Sequence, residues 1–238
     1  MHINDTTEWL EADGLGGFAS GTSSGVRTRR YHALFLTAVT PPTGRVVLVN
    51  GFDAWAETSN GSFALSTQRY APDVLHPNGI DHLTDFSIDP WPTWQYTLGD
   101  GTRIMQETFV QHGAGTVVVM WTLVRADGPV VLRARPFLSG RDYHSLHHQN
   151  GAFRFDAERR DASVTFRQYE GVRLRLSSRR TGTTGMRRIG IGNFFTPRNA
   201  IAVWTPARIC RRPVSSPGCS RARVIRRCGY FEPTSVIL

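Results

Sequence analysis

The sequence predicts an all-β protein, a large antiparallel β-sandwich followed by an irregular basic tail. Residues 1–180 consist of short β-branched or aromatic runs. Turn signals such as Asn60-Gly61 and Asn150-Gly151 separate these runs. No stretch of about 12 or more residues keeps the 3.6-residue apolar period of an amphipathic helix. This spacing of strands and turns is typical of a sandwich.

The elements follow in chain order. A glycine-rich segment that begins at Glu8 is predicted to form irregular turns between short strands, and it leads into an apolar strand that reaches Leu36. Further strands are predicted at residues 62–66, 93–98, 104–110, 116–124, 130–137, 152–155, 162–166 and 172–176. We therefore place the β-sandwich domain at residues 1–177 and the tail at 178–238.

Charge divides the chain at about the same place. The whole chain carries a formal net charge of +9, but residues 1–170 hold 14 arginines and 18 acidic residues. Residues 171–238 hold 14 arginines, a single acid and all three cysteines. The tail has the composition of a disordered segment or of a GC-rich gene translated out of frame, and we hypothesise a frameshift near residues 178–200. Nucleic-acid binding by the tail is a weaker alternative, because few aromatic residues lie among its arginines.

Several function classes are excluded or disfavoured. The chain contains no lysine, which rules out a P-loop and a pyridoxal phosphate Schiff base. The three cysteines lack the C-x-x-C spacing of a structural zinc site. The histidines of the sequence DYHSLHHQ fit an exposed loop better than a metal site. We expect no cofactor and no metal, and the absence of a signal or membrane segment predicts a cytoplasmic protein.

The glycine-rich segment and the arginines after it are the strongest candidates for a functional site. Gly14, Gly16 and Gly17 are predicted to form a loop, and GLGGFA fits only loosely the nucleotide-binding pattern, because no buried strand precedes it and no helix follows it. The planar donors and rings that follow, Arg29, Arg30, Tyr31 and His32, are suited to gripping carboxylates or sugar hydroxyls. The alternative is a charged sheet edge that discourages aggregation.

The run EWLEADGLGGFASGTSSGVRTRRYHALFLTAVTPPTGRVVLVN, from Glu8 to Asn50, resembles the N-terminal domain of the bacterial and archaeal glycogen debranching enzymes, the amylo-α-1,6-glucosidase family. Ala33 stands where that family usually has glycine. The stretch LRARPFLSGRDYHSLHHQNGAF resembles the family's R-P-x-L-x-x-R-D-x-H signature, so the likeness covers about residues 5–177. The acidic segment that the family carries before its next domain is absent here.

This resemblance implies a β-sandwich that precedes a helical (α/α)-barrel, and the barrel carries the catalytic carboxylates. Glycoside hydrolysis needs two carboxyl groups about 5 to 9.5 Å apart. We expect the chain to be a truncated, non-catalytic domain that assists α-1,6-glucosidic hydrolysis by packing on the missing barrel and framing its sugar pocket. Its expected partners are α-glucan and that barrel, and the apolar surface left uncovered would favour self-association.

Tryptophans supply a second set of candidate sugar contacts. Trp91, between two prolines, and Trp94 present rings of the kind that stack on glucose. The alternative is that these rings fill the sandwich core, and alternation places Trp94 and Tyr96 on one face, as a core requires. A stand-alone carbohydrate-binding or interaction module, with a tail that binds polyanions, remains the second functional hypothesis.

Overall fold

The strands alternate inward and outward side chains and form two antiparallel sheets. The computed structural model describes residues 3–148, 150–181, 186–193 and 235–237, with side chains at 3–148 and 150–177. The elements are β1 Glu8–Ala12, β2 Phe18–Thr22, β3 Ala33–Thr40, β4 Thr43–Thr58, β5 Gly61–Ala64, β6 Thr67–Tyr70, β7 Val74–Asn78, a 3₁₀ turn Gly79–His82, β8 Leu83–Ser87, β9 Thr93–Thr97, β10 Arg103–Gln111, β11 Thr116–Arg125, β12 Val131–Asp142, β13 Ala157–Arg160, β14 Ser163–Tyr169, β15 Val172–Thr181, β16 Met186–Asn193 and β17 Ser235–Ile237.

Sheet 1 has the strand order β1-β2-β3-β4-β12-β17, with β5 paired to β4. Sheet 2 has the order β13-β14-β15-β16-β11-β10-β9-β8, and β6 and β7 form a separate hairpin. The sheets face each other across a core that includes Phe35 and Leu48 of sheet 1 and Trp121 and Leu174 of sheet 2. Each such side chain stabilises the fold by about 1.5–3 kcal/mol through burial. The predicted all-β sandwich is confirmed.

Strand β12 is irregular where it approaches the candidate site. Its pairing with β4 shifts register between Pro136 and Leu138 and again between Leu138 and Arg141. Bulges of this kind change the direction in which the following side chains point. The second shift comes just before the loop at residues 143–148, and it positions Arg141 at the start of that loop.

One predicted strand is wrong. Residues 152–155 form a turn and an extended segment, and the strand β13 begins only at Ala157. The Oδ1 atom of Asn150 accepts hydrogen bonds from the backbone N–H groups of Ala152 and Phe153, both at 3.1 Å. This side-chain turn competes with strand pairing, as asparagine often does.

Part of the basic extension belongs to sheet 2. The backbone of residues 178–181 and 186–193 pairs in β15 and β16. The three cysteines lie outside the described residues, as do residues 182–185 and 194–200 of the segment for which we hypothesise a frameshift. The boundary at residue 177 stays a prediction. The described part of the chain contains no helix with the length and hydrophobicity that a membrane crossing needs.

Candidate functional site

The glycine-rich loop between β1 and β2 is held by hydrogen bonds to the side chain of one of its own residues, Asp13. Asp13, buried, accepts hydrogen bonds at Oδ1 from the backbone N–H of Leu15 at 2.7 Å and of Gly17 at 2.8 Å. Gly14 and Gly16 have φ values of +74° and +99°, which favour glycine. A Cβ atom on Gly17 would lie 2.4 Å from Asp13 Oδ2. Two of the loop amides are therefore engaged by a carboxylate, which explains why the loop is a structural turn and not a phosphate cradle.

The segment after this loop is held to β1 through Glu8. Arg29, which is exposed, pairs with Glu8 Oε1 at 2.6 Å. The buried His32 ring accepts a hydrogen bond from Thr28 N–H at Nδ1 and lies 3.3 Å from Glu8 Oε1 through Nε2. Burial lowers the pKa of His32 more than Glu8 raises it. His32 is thus a neutral imidazole that positions the segment, with Nε2 donating to Glu8.

Arg30 and Tyr31 meet two residues of the 143–148 loop. The Arg30 Nη2 atom donates to Tyr31 Oη at 2.9 Å, and its guanidinium lies 4.8 Å from the Tyr31 ring centre. The Tyr31 ring is 4.6 Å from that of Tyr143, and Tyr31 Oη is 3.5 Å from His144 Nδ1. We call Arg30, Tyr31, Arg141, Tyr143 and His144 the arginine–aromatic cluster.

Arg141 connects the two chain segments that form this cluster, residues 27–32 and residues 141–148. Its Nη1 atom donates to the carbonyls of Ser145 at 2.9 Å and Tyr143 at 3.2 Å, in the loop that directly follows β12. Its Nη2 atom donates to the carbonyl of Arg30, 111 residues away in sequence. Burial and the neighbouring Arg30 charge lower the pKa of Arg141. The cluster is therefore cationic and preorganised.

Small apolar contacts support the cluster from sheet 1. Phe18 packs edge-on against Tyr143, with ring centres 6.0 Å apart, beside the buried Leu36 and Val47 on the outer face. Arg45 lies 5.9 Å from the Tyr143 ring centre and donates from Nε to the Gly16 carbonyl at 2.9 Å. The glycine-rich loop thus contacts the cluster through Arg45.

A family model for the glycogen debranching enzyme N-terminal domain matches residues 7–200. The chain belongs to this family. Comparisons with curated proteins and with solved structures gave no match. The family match spans both segments that the cluster joins, and it extends beyond the boundary predicted at residue 177.

Arg135, the first arginine of the R-P-x-L-x-x-R-D-x-H signature, has a different structural role from Arg141. Arg135 donates from Nε to Asp53 Oδ2 at 3.2 Å, and its guanidinium lies 5.4 Å from the Trp55 ring centre. Asp53 is fully buried, and burial raises the pKa of its carboxyl group despite Arg135. This ion pair, in which Asp53 is buried and the Arg135 side chain is 39% exposed, joins β4 to β12. In this debranching-enzyme domain, Arg135 is structural and Arg141 positions the cluster.

The two predicted tryptophans lie apart from the cluster. Trp94 is 3% exposed, and its Nε1 atom donates to the Ser23 carbonyl at 2.8 Å, so it belongs to the core. Trp91 is half-buried and donates from Nε1 to Glu107 Oε1 at 2.9 Å. Its ring lies 4.9 Å from that of Phe109, whose strand β10 directs the alternate side chains into the core. Trp91 is therefore on the outer face of sheet 2.

Sequence reasoning did not select Arg141 and Tyr143 as site residues, and it considered His144 only as a possible metal ligand. The sequence feature that could have identified Arg141 and His144 as site residues is the R-P-x-L-x-x-R-D-x-H signature, in which both occupy fixed positions. Among the described residues, no group of three or more His, Cys, Asp or Glu side chains is arranged to hold a metal ion. Asp142 borders the cluster, and its Oδ1 accepts a hydrogen bond from the His144 N–H at 2.8 Å.

Proposed function

We propose that this chain acts as the non-catalytic N-terminal domain of a cytoplasmic glycogen debranching enzyme in α-glucan breakdown. In this proposal the arginine–aromatic cluster packs against a catalytic (α/α)-barrel and frames the barrel's sugar pocket. The observation that carries it is the meeting of residues 27–32 with residues 141–148, the two segments that most resemble the family's signatures, in one exposed cluster.

The chemistry of the cluster suits this role. Guanidinium and phenol groups hydrogen-bond sugar hydroxyls or carboxylates, and half-exposed rings stack on the apolar face of glucose. Hydrogen bonds within the cluster hold these groups in place before a partner arrives, which lowers the entropic cost of binding. Since hydrolysis needs a pair of carboxyl groups and the family resemblance places that pair on the barrel, the proposal assigns the chemical step to the barrel.

The test combines binding and activity measurements on the full chain. Binding to glycogen and to maltoheptaose is measured with glucose release in the same samples, first alone and then with a separately expressed family catalytic barrel. We expect no glucose release by the chain alone, and we expect Tyr31→Ala to weaken both glucan binding and association with the barrel. Tyr70→Ala is the matched control, because Tyr70 is exposed and lies on the β6–β7 hairpin.

Two outcomes would count against the proposal. Glucose release by the chain alone would place catalysis in this domain. Equal losses for Tyr31→Ala and Tyr70→Ala would remove the cluster from the interface. A steep decline of glycogen binding with salt would instead favour the alternative, a stand-alone module that attaches to polyanions, because stacking on glucose responds little to ionic strength.

A further inference from the structure

A cavity of about 80 Å³ lies between the two sheets and opens to solvent. Trp9 and Trp94 contribute to its walls, together with the segment from Ser20 to Arg27 and the inner faces of β9 and β10. One water molecule needs roughly 10–15 Å³ on this measure. The cavity therefore has room for a single molecule of a few heavy atoms. It is separate from the arginine–aromatic cluster on the outer face of sheet 1.

Three buried polar side chains line this cavity, and within the described residues each has a polar atom with no hydrogen-bond partner. Tyr96, Gln106 and Thr108 are 6%, 5% and 1% exposed. Trp121 Nε1 donates to Gln106 Oε1 at 3.0 Å, but within the described residues Gln106 Nε2, Tyr96 Oη and Thr108 Oγ1 have no hydrogen-bond partner. All three residues belong to the wall of the cavity. Buried donors are nearly always paired in folded proteins, with protein groups or with ordered water, so three in one cavity indicate that water or a ligand occupies it.

Arg27 gives the cavity its charge. Among the described residues that line it, Arg27 is the one with a permanent charge, and no carboxylate is present. Its Nη2 atom donates to Gln68 Oε1 at 2.8 Å, and the absence of a Cβ atom on Gly51 makes room for Nη1. The nearby Asp53 carboxylate forms its ion pair with Arg135 and acts on Arg27 only through space. The Arg27 guanidinium lies 5.0 Å from the Phe137 ring centre. Within the described residues, Arg27 therefore has no carboxylate bonded to it at the wall of the cavity.

We propose that this cavity is a binding site for a small oxyanion, a carboxylate or phosphate of a few heavy atoms. Arg27 supplies the charge, and Gln106 Nε2, Tyr96 Oη and Thr108 Oγ1 supply the hydrogen-bond donors. An oxyanion accepts hydrogen bonds from all four groups, whereas a neutral polyol leaves the cation without a counter-charge. Burial lowers the pKa of Arg27 to about 10, and an anion in the cavity will reverse that shift.

Occupancy of this site has a consequence for the cluster. Arg27 lies three residues before Arg30, and the backbone from Arg27 to His32 has no regular secondary structure. An anion bound to Arg27 will hold the start of this segment against the sandwich. The ligand therefore stabilises the segment that carries Arg30 and Tyr31, and it couples the cavity to the outer face of sheet 1.

The test uses the full chain at constant ionic strength in a buffer free of oxyanions. Inorganic phosphate, acetate and lactate are titrated separately, with glycerol as the neutral probe and chloride as the background anion. Tryptophan fluorescence reports binding because Trp9 and Trp94 line the cavity. We expect a saturable response to at least one oxyanion and none to glycerol, with phosphate against the carboxylates showing which class is preferred.

Amino-acid substitutions test whether the fluorescence response arises from binding in the cavity. We expect Arg27→Gln to weaken binding at least tenfold, and Tyr96→Phe and Thr108→Val about fivefold each, the value of one lost hydrogen bond. Tyr96→Phe and Thr108→Val remove unpaired groups, so we expect both variants to keep the thermal stability of the free protein. They therefore test the proposal even if Arg27→Gln does not fold. Arg167→Gln and Thr165→Val, both on β14, are the matched controls, because neither residue lines the cavity. A response to glycerol equal to that of the anions, no saturable response, or equal losses in the controls would overturn the proposal.

Discussion

Replacement of Arg141 by methionine will separate the two segments that form the arginine–aromatic cluster. Methionine replaces the stem of the arginine side chain with a shorter, unbranched apolar chain that has no hydrogen-bond donors. The substitution removes the hydrogen bonds to the carbonyls of Ser145, Tyr143 and Arg30. The other two contacts of the guanidinium, to the Asp142 carbonyl at 3.4 Å and to Asn50 Oδ1 at 3.5 Å, are long and contribute little.

The magnitude follows from these contacts. Three well-formed hydrogen bonds, each with a net value of about 0.5–1.5 kcal/mol, sum to roughly 2–4 kcal/mol. The Arg141 side chain is half-buried, so water replaces part of what is lost. We therefore expect the free energy of unfolding to fall by about 2 kcal/mol, which is roughly a thirtyfold change in the unfolding equilibrium.

The assay is urea denaturation of the full chain, followed by tryptophan fluorescence. Arg167→Met is the matched control, because exposed Arg167 pairs with Glu158 at 2.9 Å and such surface pairs contribute about 1 kcal/mol or less. Arg141→Met should also weaken association with a family catalytic barrel, since Arg30 and Tyr31 lose their fixed positions. If Arg141→Met loses no more stability than Arg167→Met, the guanidinium does not hold the two segments together.

Three further predictions concern the loops around the cluster. Gly16→Ala should destabilise the protein by about 2 kcal/mol or more, because the new Cβ atom would lie 2.6 Å from a backbone carbonyl oxygen. Gly25→Ala is the control, because Gly25 also has a positive φ but open space around it, and it should cost about 1 kcal/mol. Equal urea midpoints for the two variants would contradict this prediction. Asp13→Ala should cost about 2–4 kcal/mol because it leaves two loop amides unpaired, and a loss below 1 kcal/mol would show that water replaces the carboxylate. The pKa of His32 is lowered by burial, so its protonation favours the unfolded chain, and stability that is complete above about pH 6.5 should decline as the pH falls below it. His32→Gln should remove part of the difference between urea midpoints at pH 7.5 and 5.5, with His147, whose pKa is also lowered, supplying another part; an unchanged difference would contradict this assignment.

Much of the architecture was predictable from local patterns. The alternation of β10 and β11 predicts their inward and outward faces, and both strands lie where they were predicted to within a few residues. The same alternation indicates a core position for Trp94, which is where it lies. Residues 152–155 were mispredicted because their aromatic content resembles a strand, while Asn150 diverts their amides into a turn.

The candidate site was predictable only in part. The chain order identifies the segment with Arg29 to His32, but it does not show that His32 is buried against Glu8 while Arg30 stays exposed. It also does not pair Tyr31 with His144, which is 113 residues away. That pairing depends on the two register shifts of β12, and shifts of this kind have no local sequence period.

By itself the sequence determined the class of fold, the family resemblance and the division into a near-neutral part and a basic extension. These three features depend on periodicity, motif order and composition, which are properties of neighbouring residues. The tertiary structure alone decided which signature residues meet and that Arg135 pairs with the buried Asp53 while Arg141 joins two distant segments. It also decided that Arg27 lines a cavity with three unpaired donors. The physical reason is that these contacts join residues far apart in the chain, so they depend on strand order and register, which local periodicity does not specify.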